Sequence, residues 1–120
     1  MEVKVVLNVV CVIPDGPSLY KVFLDDNFMS PFAMLDDHKD ITDCVKEIYC
    51  DCFMGPFDRV AETLNLVDVR KNGDRVIIYY SMCSDSSIQN KRGKFVNVDS
   101  LNSEILHKIL QKIDMSVRFT

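Results

Sequence analysis

The chain has no excess of basic residues. Its 14 Lys and Arg stand against 18 Asp and Glu in 120 residues, a formal net charge of −4 with a pI near 5.0. Proteins that coat duplex DNA or RNA need a basic surface for the phosphates, so the composition argues against that class. No apolar run approaches the ~20 residues needed to cross a bilayer. The opening Met1-Glu2-Val3-Lys4 shows neither the basic n-region nor the small-residue cleavage site of a signal peptide. Cysteine is sparse and odd in number, at five, and does not form a small secreted framework. These absences predict reduced thiols and a cytoplasmic location, the host cytoplasm if the protein is viral. No repeat, linker or low-complexity tract breaks the chain, and residues 1–120 read as one domain.

What charge there is lies unevenly. Residues 1–58 carry 11 acids and 4 bases, whereas residues 59–120 carry 7 acids and 10 bases. An acidic first half facing a mildly basic second half can mark a cation site beside an anion-attracting rim, or solvated loops alone.

Val3 to Ile13 is apolar on both alternating faces, which predicts a central strand covered on both sides. Pro14-Asp15-Gly16-Pro17 predicts a turn into a second strand over Leu19–Leu24. The segment from Phe28 to Asp37, with Ser30-Pro31, reads as a loop with short extended pieces. The period then changes. Ile41, Cys44, Val45, Ile48, Tyr49 and Cys52 fall at helical spacing over 40–53, with Asp40 as N-cap and Gly55-Pro56 as the stop. Two strands, Leu64–Arg70 and Arg75–Cys83, flank Asn72-Gly73, the preferred pair of a type I′ turn. A short strand over 95–98 precedes a last helix, capped by Asp99 or Ser100 and buried through Leu101, Ile105, Ile109, Leu110 and Ile113. Met115–Thr120 reads as an edge strand or a frayed end. The sum is an α+β domain, a mixed β-sheet sandwiched between two main helices.

The outer face of the 40–53 helix holds the first candidate chemistry. Glu47 and Asp51 are i, i+4, so their carboxylates share one face and can share a hard divalent cation. Such a face can equally be only solvated. His38, Cys44, Cys50 and Cys52 invite a zinc reading, but Cys50 and Cys52 stand ~200° apart around a helix and cannot converge on one ion. A cysteine nucleophile paired with His38 or His107 has no local signature. Lys91-Arg92-Gly93-Lys94 is the one dense basic cluster, suited to phosphate or to solvent. Phe28, Met29, Phe32 and Met34 predict an exposed apolar patch for a protein partner or a second copy, or else a cap on the sheet.

Over nearly the whole chain, the element order and the passage from Phe28 to Met54 resemble the Nudix family of pyrophosphohydrolases. The family motif is G-x₅-E-x₇-R-E-U-x-E-E-x-G-U, where U is bulky and apolar. Lys46-Glu47-Ile48-Tyr49-Cys50-Asp51-Cys52-Phe53-Met54 aligns with its R-E-U-x-E-E-x-G-U segment. Glu47, Ile48 and Met54 match, Asp51 is a shortened acid and Lys46 stands for the arginine. Cys50 and Phe53 depart, and upstream Phe32 and His38 fall on the glycine and the isolated glutamate. The hairpin ending in Arg75–Tyr80, then Lys94–Leu101 and a helix, resembles the usual Nudix ending.

The resemblance implies that Glu47 and Asp51 are the catalytic and Mg²⁺- or Mn²⁺-holding candidates. Lys46, in the place of the motif's arginine, and the basic cluster of Lys91, Arg92 and Lys94 are the candidate nucleotide or phosphate contacts. It also implies a degenerate box. A thiol at Cys50 is a soft ligand poorly suited to Mg²⁺, and the missing glycine removes a close backbone approach. Three functions follow. The first is a binding module for a protein or nucleotide, without a cofactor, of the kind found among accessory or phage-type proteins. The second is a divergent hydrolase of nucleoside diphosphate-linked compounds, and the third an unrelated α+β adaptor.

Overall fold

The computed structural model describes residues 3–15, 20–35, 38–85 and 87–117, with side chains to residue 113. In chain order the elements are β1 (Lys4–Pro14), β2 (Tyr20–Leu24), β3 (Phe32–Met34), α1 (Ile41–Cys52), α2 (Asp58–Ala61), β4 (Asn65–Asn72), β5 (Arg75–Cys83), β6 (Lys94–Asn97), a 3₁₀ turn (Val98–Ser100) and α3 (Glu104–Val117). The strands form one mixed sheet in the order β4-β5-β1-β2-β6. β1 lies at its centre, as its doubly apolar pattern predicts.

β1 runs parallel to β5 from Lys4↔Arg75 to Val12↔Cys83. Its other edge is divided. β3 pairs antiparallel with Val6–Asn8, and β2 pairs antiparallel with Val12–Pro14. Between them the Val9 N–H donates to the Pro31 carbonyl at 2.9 Å, so a residue that cannot donate still closes the edge as an acceptor. Residues 16–19 of the expected turn between β1 and β2 lie outside the described residues.

Strand alternation sends the two faces of β1 into separate cores. Leu7, Val9 and Cys11 pack with Cys44, Val45, Ile48, Tyr49 and Cys52 of α1 and with Val60 of α2. Val10 and Val12 pack on the other face with Leu106, Ile109, Leu110 and Ile113 of α3. The α1 layer is built on touching rings. Phe23 and Phe53 centroids are 4.6 Å apart, and Tyr49 lies 5.4 Å from Phe53 and 5.5 Å from Phe57.

Several local expectations shift. Asn72 pairs with Arg75, so the two-residue loop is Gly73-Asp74 rather than Asn72-Gly73. Gly73 has a φ of +66° while Asp74 does not have positive φ, the pattern of a type II′ turn with glycine in first place. The last helix starts later than expected. Asp99 and Ser100 belong to the 3₁₀ turn, and Ser103 is the cap, its Oγ accepting from the Leu106 N–H. The buried stripe of α3 therefore contains Leu106, whereas Ile105 is exposed and Leu101 is buried ahead of the helix. The helix continues through Val117 in place of an edge strand; residues 118–120 lie outside the described residues. α2 was not legible, because four residues are too few to show a period.

Candidate functional site

Asp40 caps α1 by accepting from the Asp43 N–H at 2.8 Å, and the apolar stripe fixes which face turns outward. Lys46, Glu47, Cys50 and Asp51 are all exposed on that face. The two acids pair with different cations. Both Glu47 oxygens accept from Lys39 Nζ, at 2.8 and 2.9 Å, while Asp51 forms an ion pair with Arg92 from the loop before β6. Both pairs are substantially solvated, so solvent and salt screen them and each contributes little to stability. A shallow depression of about 400 Å³ lies over Lys39, Asp43, Lys46, Glu47 and Cys50. Among the described residues no group of three His, Cys, Asp or Glu side chains is placed to hold a metal ion.

The basic loop turns inward as well as outward. Lys91 donates from Nζ to the Cys50 carbonyl at 2.7 Å and from its backbone N–H to the Cys52 carbonyl at 2.8 Å. These carbonyls end α1, where orphan acceptors and the negative end of the helix dipole attract cations. The Gly93 N–H donates to Asp26 Oδ1 at 3.0 Å. A β-carbon on Gly93 would stand 2.4 Å from the Leu24 carbonyl oxygen and 2.5 Å from the Phe23 ring, so this glycine permits a close approach to β2. Lys94 Nζ lies 5.3 Å from the centroid of the Phe28 ring. The structure thus brings Lys91, Arg92 and Lys94 to the end of α1 and the 25–29 turn, while Lys46 remains on the outer face of the helix.

The thiols divide by burial. Desolvation raises the pKa of Cys11, Cys44, Cys52 and Cys83, which keeps them protonated and weakly nucleophilic; for Cys52 the neighbouring Arg92 opposes the shift. Cys50 is exposed. His107 has a structural role, its Nε2 lying 2.9 Å from the Leu101 carbonyl. Phe53, which aligns with the box glycine, is 2% exposed and lies inside the aromatic layer.

The four large apolar residues of the 28–34 segment face solvent. Phe28 is 70% exposed, Met29 49%, Phe32 50% and Met34 52%. β3 explains two of them. Phe32 and Met34 oppose Asn8 and Val6 in the ladder, and so extend over the sheet face that α3 covers only farther along. Asp25 builds the turn that presents Phe28. Its Oδ1 accepts from the Asn27 and Met29 N–H groups, its own N–H donates to the Met29 carbonyl, and its carbonyl accepts from the Phe28 N–H. Phe28 is left at φ +61°, the one non-glycine residue at positive φ among those described, at a cost of about 1–3 kcal/mol.

A second concavity was invisible in the sequence. About 530 Å³ opens between the end of α1 and the loop after β5, lined by Tyr49, Met54, Arg59, Cys83, Asp85 and Ile88 among others. Asp85 on its rim is held low in pKa by hydrogen bonds from Ser87.

No protein-family model matches the chain, and no curated protein does so either. Among solved structures it is similar to the C-terminal domain of mouse MUTYH in complex with human PCNA. The identity is 13% and the TM-score 0.67, over 96% of this chain and 90% of that one. A likeness at this identity speaks to fold alone. It agrees with the mixed sheet between helices described above, and the α+β architecture is Nudix-like.

Proposed function

We propose that this Nudix-like domain is a protein-binding accessory module whose catalytic box has degenerated. The observation that carries the reading is the solvent exposure of Phe28, Met29, Phe32 and Met34 within one short segment. Large apolar side chains gathered at a surface are the material of interface cores. The structural neighbour supports the reading by analogy, as a domain of this fold seen in complex with another protein. The outer face of α1 supports it too. Glu47 and Asp51 are each committed to a protein cation, Cys50 lies between them, and Phe53 occupies the core where the motif has glycine.

Two measurements test this. Turnover of nucleoside diphosphate derivatives with Mg²⁺ or Mn²⁺ is expected to fall far below the enzyme range of ~1 s⁻¹. A rate in that range, abolished by Glu47→Gln, would replace this reading with that of a divergent hydrolase. The second compares Phe28→Ser and Phe32→Ser with the wild type in a partner pull-down and in sedimentation velocity. Both variants are expected to fold, since neither ring is buried, and to lose a contact that the wild type makes. Folded variants that keep every contact would place the interface elsewhere.

A further inference from the structure

β4 ends the sheet, and among the described residues no strand lies beyond it. Asn72 and Arg75 close a two-residue turn, so they exchange hydrogen bonds across the hairpin. Alternation from that pair leaves Val69 and Lys71 with their N–H and C=O groups turned away from β5. Leu66 and Val69 are each 52% exposed on the same strand. Open backbone groups beside exposed apolar side chains make a strand a template for pairing with another copy of itself.

Two features already occupy this edge. The ladder shifts between Leu66↔Tyr80 and Asp68↔Tyr79, which leaves Val67 as an extra, bulged residue. Asp68 Oδ1 then accepts from the Val69 N–H at 2.9 Å, so one outward donor is taken from within the chain. The other carboxylate oxygen is anchored. Oδ2 accepts from Arg70 Nε at 2.9 Å and pairs with Lys112 Nζ of α3 at 3.0 Å, and the side chain is only 18% exposed. Charge by itself would not keep two copies apart. Antiparallel pairing centred on Val69 sets Asp68 of one copy opposite Arg70 of the other. That pairing would need the Val69 N–H, which Asp68 holds.

We propose that Asp68 is an edge guard. By holding the Val69 N–H, itself fixed in place by Arg70 and Lys112, it keeps β4 from pairing with β4 of a second copy. The role is independent of the protein-binding reading, which concerns the 28–34 segment beyond the opposite side of β1.

Two measurements on the whole chain test this. In the wild type, hydrogen exchange should be about tenfold or more slower at the Val69 amide than at the Lys71 amide, although both face away from β5. Equal exchange would overturn the guard. Sedimentation velocity over a concentration series then compares Asp68→Ala, which removes the acceptor, with the wild type. The variant should associate at concentrations at least about tenfold lower than the wild type. Adding Val69→Pro, which deletes the freed donor, should reverse that gain. Ser103→Ala weakens the fold but leaves β4 intact, and so controls for lost stability; circular dichroism checks that each variant is folded. A folded Asp68→Ala that sediments as the wild type does would overturn the guard. So would added association that survives Val69→Pro or that Ser103→Ala reproduces. Should Asp68→Ala fail to fold, the exchange comparison decides by itself.

Discussion

Phe53 shows how one side chain can decide between a site and a core. Its ring lies 4.6 Å from that of Phe23 and 5.4 Å from that of Tyr49, its i−4 neighbour on α1. Placing the glycine of the resembled motif at this position would therefore empty a filled volume. Phe53→Gly is expected to destabilise the protein by about 3–5 kcal/mol or more, read from chemical denaturation. A midpoint equal to that of the wild type would contradict the packing. Asp68 acts by charge instead. Hydrogen bonds from Lys112 and Arg70 lower its pKa and tie β4 to α3. A carboxyl depressed on folding stabilises above its unfolded value of about 3.9, and that contribution disappears as pH falls below it toward the folded value. Asp68→Asn should lower stability at pH 7 and flatten this acid limb in a series of urea titrations against pH. Parallel curves for the two proteins would show that the network contributes nothing.

At the scale of elements, two glycines with positive φ have different duties. Gly73, at +66°, turns β4 into β5 in open space, with nothing within 4 Å of where a β-carbon would lie. Gly93, at +72°, lies against β2. Gly73→Ala is expected to cost only the backbone strain, about 1 kcal/mol, because no neighbour has to move. Gly93→Ala adds a steric clash with the Leu24 carbonyl and should cost at least twice as much. Thermal melts of the two variants distinguish these cases, and equal losses would refute the contrast. The start of α3 gives a smaller effect. Ser103→Ala removes the oxygen that accepts from the Leu106 N–H, and should destabilise by ~1 kcal/mol in the same melts.

At the scale of the whole molecule, β1 is shared by two apolar layers, one under α1 and one under α3. Neither layer can dissolve without exposing the back of the other. Ile48→Asp in the first and Ile109→Asp in the second each place an unpaired charge in a core, and each should unfold the entire domain. Far- and near-ultraviolet circular dichroism are the check. Loss of one layer with retention of the other would show that the sheet is not a cooperative link. The exposed ion pairs over α1 carry little of this stability, since solvent and salt screen them.

The elements and their layering were legible in the sequence because each rests on a local period. The doubly apolar run of Val3–Ile13 reads as a covered central strand, and the stripe from Ile41 to Cys52 reads as a helix packed through one face. Phe53, read in the sequence only as a departure from the motif, joins that layer in the structure, four residues beyond Tyr49. Local chemistry was less certain where one residue of register mattered, as at Gly73-Asp74 and Ser103. The candidate site depended on the fold. Asp51 meets Arg92 across 41 residues of chain, and Glu47 meets Lys39 from the loop ahead of its own helix. The exposure of Phe28, Met29, Phe32 and Met34 follows from where α3 stops covering the sheet and how Asp25 folds its turn. Periodicity tells which residues share a face; the elements packed against it decide which of those residues meet solvent and which charges meet each other.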